Sequence, residues 1–327
     1  MKDTDFLFMT AMLRAREASM LKGEKIDRML EAPGFDDAAK LLLDCGYPDM
    51  SGMGMEQIED TLQTHRGEIF NEISGYSYAR DLLDLFRIKY DYNNVKVLVK
   101  SAGASIDALY LLSGSGRVDA KALNDAFVTG QRGDIPAPVA AAIDAATGIL
   151  SRTGNPQLAD IEIDKIYFGE LSALAKKLNN DFITGYVRLL IDSANLRTFV
   201  RSARTKRDDN FLLSALIPGG SIGVEQIASS YGDNSLSLFS SDALKQAVYL
   251  GSEIMGDGAQ TQFERACDDA VLTYVTDTSY VSFGAVPVIA YLTKLEWELT
   301  VIRMILTGKL TGISKDIIRE RLRECHV

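Results

Sequence analysis

One segment of this 327-residue chain recurs three times, and a long internal repeat constrains a fold more than any other sequence feature. The three copies occupy residues 82–100, 184–201 and 289–307. Each contains an acidic residue followed five positions later by a cation, in the pairs Asp91 and Lys96, Asp192 and Arg197, and Glu298 and Arg303. This interval of roughly one hundred residues predicts three similar units, at residues 1–112, 113–216 and 217–327.

Apolar residues in each copy follow the spacing of an α-helix. In the first copy they step by three and four positions, at Leu85, Ile88, Tyr92, Val95 and Val99. That spacing places them on one face of a helix. The matching positions of the other two copies are apolar with one exception, Ser193. The stripe is kept while the residues change, which indicates a packing constraint and predicts one long core helix in every unit.

The acid and the cation of one copy are not placed to pair with each other. Five residues apart on a helix, they point roughly 140° apart, unlike the i,i+4 pairs that do meet. Each must therefore face a different neighbour. One interpretation is a set of structural contacts between units, made by Asp91, Asn94, Asp192, Asn195 and Glu298. The other is a partner-facing ring of cations, formed by Lys96, Arg197 and Arg303.

Most of the remaining chain is also predicted to be helical. Apolar spacing and turn residues predict helices at 6–30, 35–43, 57–75, 120–127, 139–149, 161–178, 241–255, 259–276 and 315–324. Ser314 is the expected N-cap of the last helix. Glycine-rich turns at 113–116 and 217–221 mark the boundaries between units. Strand patterns are short and fall beside helical ones, so the predicted fold class is all-α.

Composition and charge exclude several classes of protein. The net charge is −10 and the pI is near 4.9, which argues against a general nucleic-acid binder. The cysteines have no CxxC spacing and indicate reduced thiols in a cytosolic protein; they are Cys45, Cys267 and Cys325. The first residues lack a signal-peptide pattern, and no apolar run approaches the about 18 residues of a membrane span. Any membrane association is expected to be indirect.

The sequence offers no catalytic or metal-binding constellation. The two histidines, His65 and His326, have no partner at the spacing of a metal site or a catalytic triad. The glycine-rich turns are not followed by the Gly-Lys-Ser/Thr of a P-loop. Three Asp-Asp pairs lack the third carboxylate that a Mg²⁺-dependent diphosphate enzyme would use. We expect no cofactor, and an all-α lyase or transferase remains only as a third hypothesis.

The C-terminal segment is locally basic. Its cations are Lys309, Lys315, Arg319, Arg321 and Arg323. These either complement the end of a helix or contact a partner, and Lys309 is kept as a candidate partner-binding residue.

The single tryptophan, Trp297, stands beside Glu298 and is expected to pack in the core or between units.

The repeated motif, the opening FMTAMLRAREASML and the ending PVIAYLTKLEWELTVIRMILTGKLTGISKDIIRERLREC resemble the C subunits of the bacterial and archaeal V-type (A-type) rotary ATPases, the counterparts of the eukaryotic d subunit. The resemblance covers the whole length and is most specific over residues 289–321. The residues that match the family pattern there are Glu298, Ile302, Arg303, Ile305, Gly308 and Lys309. The family commonly has an asparagine before Ile-Arg, where this chain has Val301.

The resemblance implies an all-helical funnel of three similar units around a pseudo-threefold axis. One face would sit on the membrane ring of proteolipid subunits, and the cavity on the other face would receive the central shaft, made of the D and F subunits. The protein would be a cytoplasmic rotor part, peripheral to the membrane, that passes torque in a machine coupling ATP to H⁺ or Na⁺ transport. It would bind no nucleotide and catalyse nothing itself. The alternative hypothesis is a helical-repeat scaffold for another protein partner.

Overall fold

The computed structural model describes residues 3–104, 108–233, 235–255, 260–278 and 280–322. Over these residues the chain forms α-helices and short 3₁₀ turns and contains no strand, so the predicted all-α class is confirmed. In chain order the helices are α1 (Leu7–Glu17), α2 (Gly23–Glu31), α3 (Phe35–Lys40), α4 (Met55–Ser74), α5 (Arg80–Ala104), α6 (Ala120–Thr129), α7 (Ala137–Thr153), α8 (Pro156–Leu178), α9 (Asp181–Arg204), α10 (Asp209–Ala215), α11 (Val224–Ser229), α12 (Lys245–Ile254), α13 (Gln260–Thr276), α14 (Ala285–Leu310) and α15 (Lys315–Arg321). The three repeated segments lie in α5, α9 and α14, which we call the core helices.

Capping side chains fix where several of these helices begin. The N-cap oxygen accepts a backbone N–H of the first turn in α6, α8, α9, α10 and α15, at Asp119, Asn155, Asn180, Asp208 and Ser314. The predicted cap at Ser314 is therefore confirmed. Helices α6 and α7 end at Gly130 and Gly154, whose positive φ angles suit glycine and stop the helix.

The prediction of a single helix over residues 6–30 is wrong. Helix α1 ends at Glu17 and α2 begins at Gly23. Between them Leu21 is fully buried, and its backbone N–H donates to Oε1 of Glu298 at 2.6 Å. A continuous helix would commit this N–H to its own i−4 carbonyl. The tertiary hydrogen bond to a buried carboxyl group therefore outweighs the local apolar spacing, which by itself favours a helix.

The other predicted helices are present, with different ends. Helices α4, α6, α7, α8 and α13 correspond to the predicted helices at 57–75, 120–127, 139–149, 161–178 and 259–276. Helix α3 stops at Lys40, and α12 starts at Lys245 because residues 242–244 form a turn. Helix α15 begins where predicted, and the end predicted for it at residue 324 lies outside the described residues.

The apolar core consists of three clusters that cross the predicted unit boundaries. One joins the second half of α5 to α6, α7 and α8, and another joins the second half of α9 to α10, α11, α12 and α13. The third contains α14, the N-terminal helices α1 to α4 and the first halves of α5 and α9. Helices α5 and α9 thus pack on the helices that follow them in the chain. Helix α14 packs instead on the helices at the N-terminus. The division into units stays a prediction.

Helix α14 is the most enclosed element. It contacts α1, α3, α4, α5, α9, α13 and α15. Its predicted apolar stripe is buried, and Trp297, at 4% exposure, lies in the same cluster as predicted. A helix that is apolar on nearly every side is stable only in a protein interior or a membrane. Here the surrounding helices supply that interior.

Candidate functional site

The repeated acids of the three core helices are buried, and each forms hydrogen bonds with the turn that precedes another helix. Asp91, Asp192 and Glu298 are at most 5% exposed. Each accepts a backbone N–H from the residue just before an N-cap, namely Val118 before α6, Ile222 before α11 and Leu21 before α2. A buried carboxylate without such donors costs several kcal/mol. The acids therefore fix where those three helices start.

Two asparagines hold the same turns. The Asn94 amide donates to the carbonyl oxygen of Ser113 at 2.9 Å and accepts the N–H of Ser113 at 2.8 Å. Asn195 makes the same two hydrogen bonds with the backbone of Ile217, both at 2.8 Å. An amide side chain carries the donor and the acceptor that such a pair requires. The third core helix has the buried Val301 at this position, so its turn is held by Glu298 without an amide.

Two glycines allow the turns to lie against the acids. A Cβ atom at Gly116 would clash with Oδ1 of Asp91, and one at Gly220 would clash with Oδ1 of Asp192. Neither glycine has a positive φ angle, so the requirement comes from close approach and not from backbone conformation. The sequence identifies these residues as turn glycines, and the structure adds the contact that demands them.

Each cation of the repeat pairs with an acid on a helix of a different predicted unit. The pairs are Lys96 with Asp164 at 2.5 Å, Arg197 with Glu264 and Asp268 at 2.7 Å each, and Arg303 with Glu59 at 2.6 Å. These contacts join α5 to α8, α9 to α13 and α14 to α4. We call each such contact, together with the acid-held turn, a seam. The third seam joins the last core helix to the N-terminal helices.

Burial raises the pKa of all three acids, and the third acid differs from the others. The pKa of Asp91 is raised, although the Arg117 guanidinium, 2.7 Å away, opposes the effect of burial. The pKa of Asp192 is also raised. The pKa of Glu298 is raised to about 7, because burial outweighs its hydrogen bond from Leu21 and the nearby Lys25. The third seam therefore contains an acid that changes charge near neutral pH.

Sequence reasoning missed Arg117 as a bridging residue. Its guanidinium binds Asp91 on α5 and Glu170 on α8, at 2.7 and 2.8 Å. Glu170 also accepts the hydroxyl hydrogen of Tyr92 at 2.7 Å. The first seam thus contains two linked ion pairs. The only signal in the sequence is that Arg117 follows the glycine-rich turn directly.

A second missed network joins α4, α5 and α14. Glu296 accepts hydrogen bonds from Lys89 and Tyr90 at 2.7 Å and forms an ion pair with Arg66 at 3.2 Å. Arg66 is only 3% exposed and lies over the ring of Tyr90. These partners keep the pKa of Glu296 low despite its burial, mainly through Lys89 and Arg66. Lys89 and Glu296 both stand two residues before a repeated acid, so extending the repeat alignment would have found this pair.

Four adjoining cavities form a concave surface along the C-terminal halves of α9 and α14 and the N-terminal turns of α4, α8 and α13. Neighbouring cavities share Arg201 and Thr205, then Gln260 and Glu264, then Met304 and Arg321. The largest is an apolar groove of about 480 Å³ between α4, α14 and α15. We call the whole surface the docking face. Lys96, Arg197 and Arg303 all line it.

The C-terminal cations contact the N-terminal helix α2. The Lys309 ammonium donates to the carbonyl oxygens of Leu30 and Ala32, at 2.9 and 2.6 Å, and so satisfies the end of α2. Arg319 pairs with Asp27 at 3.1 Å. These contacts add to the third seam. Arg323 lies outside the described residues, and partner binding through Lys309 stays a prediction.

His65 and the two described cysteines pack against other side chains. The ring of His65 lies 4.3 Å from that of Tyr47, and burial lowers its pKa. Cys45 and Cys267 are buried, and burial raises the pKa of Cys267 to about 12. Cys325 and His326 lie outside the described residues. Within the described ranges, no three His, Cys, Asp or Glu residues come together as a metal site would need.

None of the helices in the described part of the chain is both long enough and apolar enough to span a bilayer.

The described chain is all-α, and paired charges and buried acids tie its three core helices to other helices. Comparison with known proteins identifies its family. The family described as ATP synthase (C/AC39) subunit matches residues 9–321, and the chain belongs to it, which confirms the resemblance seen in the sequence.

The full-length relatives are distant. The C subunit of the V-type sodium ATPase of Enterococcus hirae is 21% identical over 96% of this chain and 97% of the relative. The C subunit of the A-type ATP synthase of Thermococcus kodakarensis is 22% identical over 99% and 92%. The C subunit of the A-type ATP synthase of Halobacterium salinarum is 24% identical over 97% of both chains.

Replacing the glycines that lie against the acids should destabilise the fold. We expect Gly116→Ala and Gly220→Ala each to lower the free energy of unfolding by about 1–3 kcal/mol, because the new Cβ displaces a buried carboxylate from its donors. Gly114→Ala is the matched control in the first turn, since its Cβ would meet no atom within 4 Å. Urea denaturation measures all three variants. Equal losses in all three would contradict the close-contact explanation.

The stability of the protein should decrease as Glu298 ionises. Its native pKa of about 7 lies above the about 4.3 of an unfolded glutamate, so the native state binds more protons between these values and unfolding becomes easier as pH rises. Glu298→Gln does not titrate and keeps an acceptor for Leu21. Wild type should lose about 2–3 kcal/mol relative to Glu298→Gln between about pH 5 and pH 8. Parallel pH profiles from urea denaturation would contradict this assignment.

Proposed function

We propose that the protein is the central-rotor C subunit of a V-type (A-type) rotary ATPase, joining the shaft of the D and F subunits to the membrane proteolipid ring. In this role it is non-catalytic, cytoplasmic and peripheral to the cell membrane, which it touches only through the ring. Its family supports the proposal, as do the names of the relatives from E. hirae and T. kodakarensis, both of which are C subunits of such machines.

The observation that carries the proposal is the third seam. Arg303 with Glu59 and Glu298 with Leu21 repeat, between the last core helix and the first helices, the contacts of the other two seams. This pattern supports three units at 1–112, 113–216 and 217–327 that close around a pseudo-threefold axis, in preference to an open solenoid. A closed set of helices with paired charges at every seam resists twisting of one unit against another, as a torque-carrying part must.

In this proposal the units form a funnel whose docking face receives the shaft. Lys96, Arg197, Arg303 and Lys309 remain candidate partner-binding residues. Each now has an intramolecular acceptor, and the Arg303 side chain is 36% exposed. A partner carboxylate that binds one of these cations would therefore either replace the present acceptor or share the cation with it.

Binding assays on the purified full chain test this function. We expect it to bind the D–F shaft complex at moderate salt, to bind detergent-solubilised proteolipid rings separately, and to bridge the two in one complex. Co-purification followed by size-exclusion chromatography measures each step. If the chain binds neither shaft nor ring, the proposal is wrong. Recovery of a different protein ligand in place of both would favour the helical-repeat scaffold.

A further inference from the structure

The three core helices carry different chemistry at equivalent positions beyond the repeated cation. Four, seven and ten residues after the cation, the second helix and the turn after it have Arg201, Arg204 and Arg207, whereas the third has Thr307, Leu310 and Ile313. The first helix has Lys100 and Gly103 at the first two positions, and the next one lies outside the described residues. A repeat that keeps its packing stripe but varies these positions presents a different surface on each side of the docking face.

The side of the docking face formed by α9 and the turn after it, which we call the second side, is rich in cations, although the whole chain is strongly acidic. Residues 193–207 contain five cations and no acid, in a chain of net charge −10. Arg197 is engaged by Glu264 and Asp268, but Arg201 reaches Glu264 only at 3.5 Å. Arg204 donates to the neutral Gln260, and Arg207 lies over a phenylalanine ring. The five cations of residues 193–207 thus outnumber Glu264 and Asp268, the acids with which they pair, and most of these cationic side chains are exposed to solvent.

The side of the docking face formed by α14 and the turn after it, which we call the third side, is apolar. Its groove between α4, α14 and α15 is lined by exposed apolar side chains: Met55 at 54%, Ile313 at 40% and Ile317 at 47% exposure. Such residues are normally covered in the working state of a protein. The cavity shared by Gln260, Glu264, Met304 and Arg321 connects this groove to the basic side. The two surfaces are therefore continuous.

We propose that the docking face takes a single helical protein end that has apolar side chains on one side and carboxylates on the other. The apolar side chains enter the groove at Ile313 and Ile317, and the carboxylates face Arg201, Arg204 and Arg207. An asymmetric partner can present apolar side chains to one side and carboxylates to the other, whereas the identical subunits of a ring present the same surface all round. The net charge of −10 opposes nucleic acids and anionic bilayers as the partner.

This inference rests on the proposed function, because it assigns the docking face to the foot of the D–F shaft. It adds which sides of the face bind and by which chemistry. The charged contacts should contribute a salt-dependent part of the affinity, and the groove a part that does not depend on salt.

The test compares two kinds of variant in titrations of the full-length chain with the D–F complex at several salt concentrations. Arg201→Glu with Arg204→Glu should weaken binding at least tenfold and reduce its salt dependence. Ile317→Asn, which adds no charge, should weaken binding at least tenfold and leave the salt dependence as in wild type. All three residues are exposed, so the fold should tolerate the changes, which thermal unfolding verifies. Binding to detergent-solubilised rings should stay as in wild type.

Matched controls replace exposed residues that line none of the four docking-face cavities. Lys121→Glu with Lys245→Glu reverses two exposed charges in the first turns of α6 and α12, where acids are tolerated. Val128→Asn introduces an uncharged polar side chain at an apolar residue of α6 that is 73% exposed. Both controls should bind the shaft as tightly as wild type.

The outcomes separate the inference from the function on which it rests. If wild type binds the shaft and the face variants bind equally well, the inference is wrong and the proposed function stands. The inference is also wrong if the controls lose as much affinity as the face variants, or if the arginine variant loses binding only to phosphatidylglycerol vesicles or to DNA. If wild type binds neither shaft nor rings, both proposals are wrong.

Discussion

A carboxyl group buried beside a helix must accept hydrogen bonds from somewhere, and in this protein that requirement sets the order of the helices. Asp91, Asp192 and Glu298 are buried from solvent, and each accepts a hydrogen bond from the backbone N–H of the residue before an N-cap. That residue lies outside the helix, so its buried N–H has no helical partner and must find an acceptor elsewhere. The acid and the helix start therefore satisfy each other, and the core helices become the positions from which the other helices are placed.

The cation five residues along gives the same helix a second attachment in another direction. Because acid and cation point to different sides, one core helix fixes both a turn and a neighbouring helix, as Asp192 and Arg197 do for the turn before α11 and for α13. The first two seams also have an asparagine amide, and the third has Val301 instead. The seam that lacks the amide is also the seam whose acid has a pKa of about 7.

The sequence predicted the helices and the repeat because both depend on spacing within about one turn of helix or on a fixed period. It did not predict the break near Leu21, because the acceptor of that N–H lies 277 residues away in the chain. The role of Gly116 was hidden for the same reason, since a turn glycine and a glycine against a carboxylate look alike in a sequence. Three cations that line the docking face, Lys96, Arg197 and Arg303, were candidates for partner binding from the sequence alone. Its apolar groove was not predicted, because the ends of several helices form it and no single segment carries its pattern.

The hydrogen bond between Leu21 and Glu298 joins the two ends of the chain, and this affects how the chain folds as it is synthesised. Contacts between residues so far apart form slowly, because a long loop of chain must first be closed. The apolar faces of α1 to α4 pack on α14, which is synthesised more than 200 residues after them, so these faces lack that partner until α14 has been made. The cluster of the N-terminal helices is therefore completed late, whereas the clusters around α5 and α9 join helices that lie closer together in the chain.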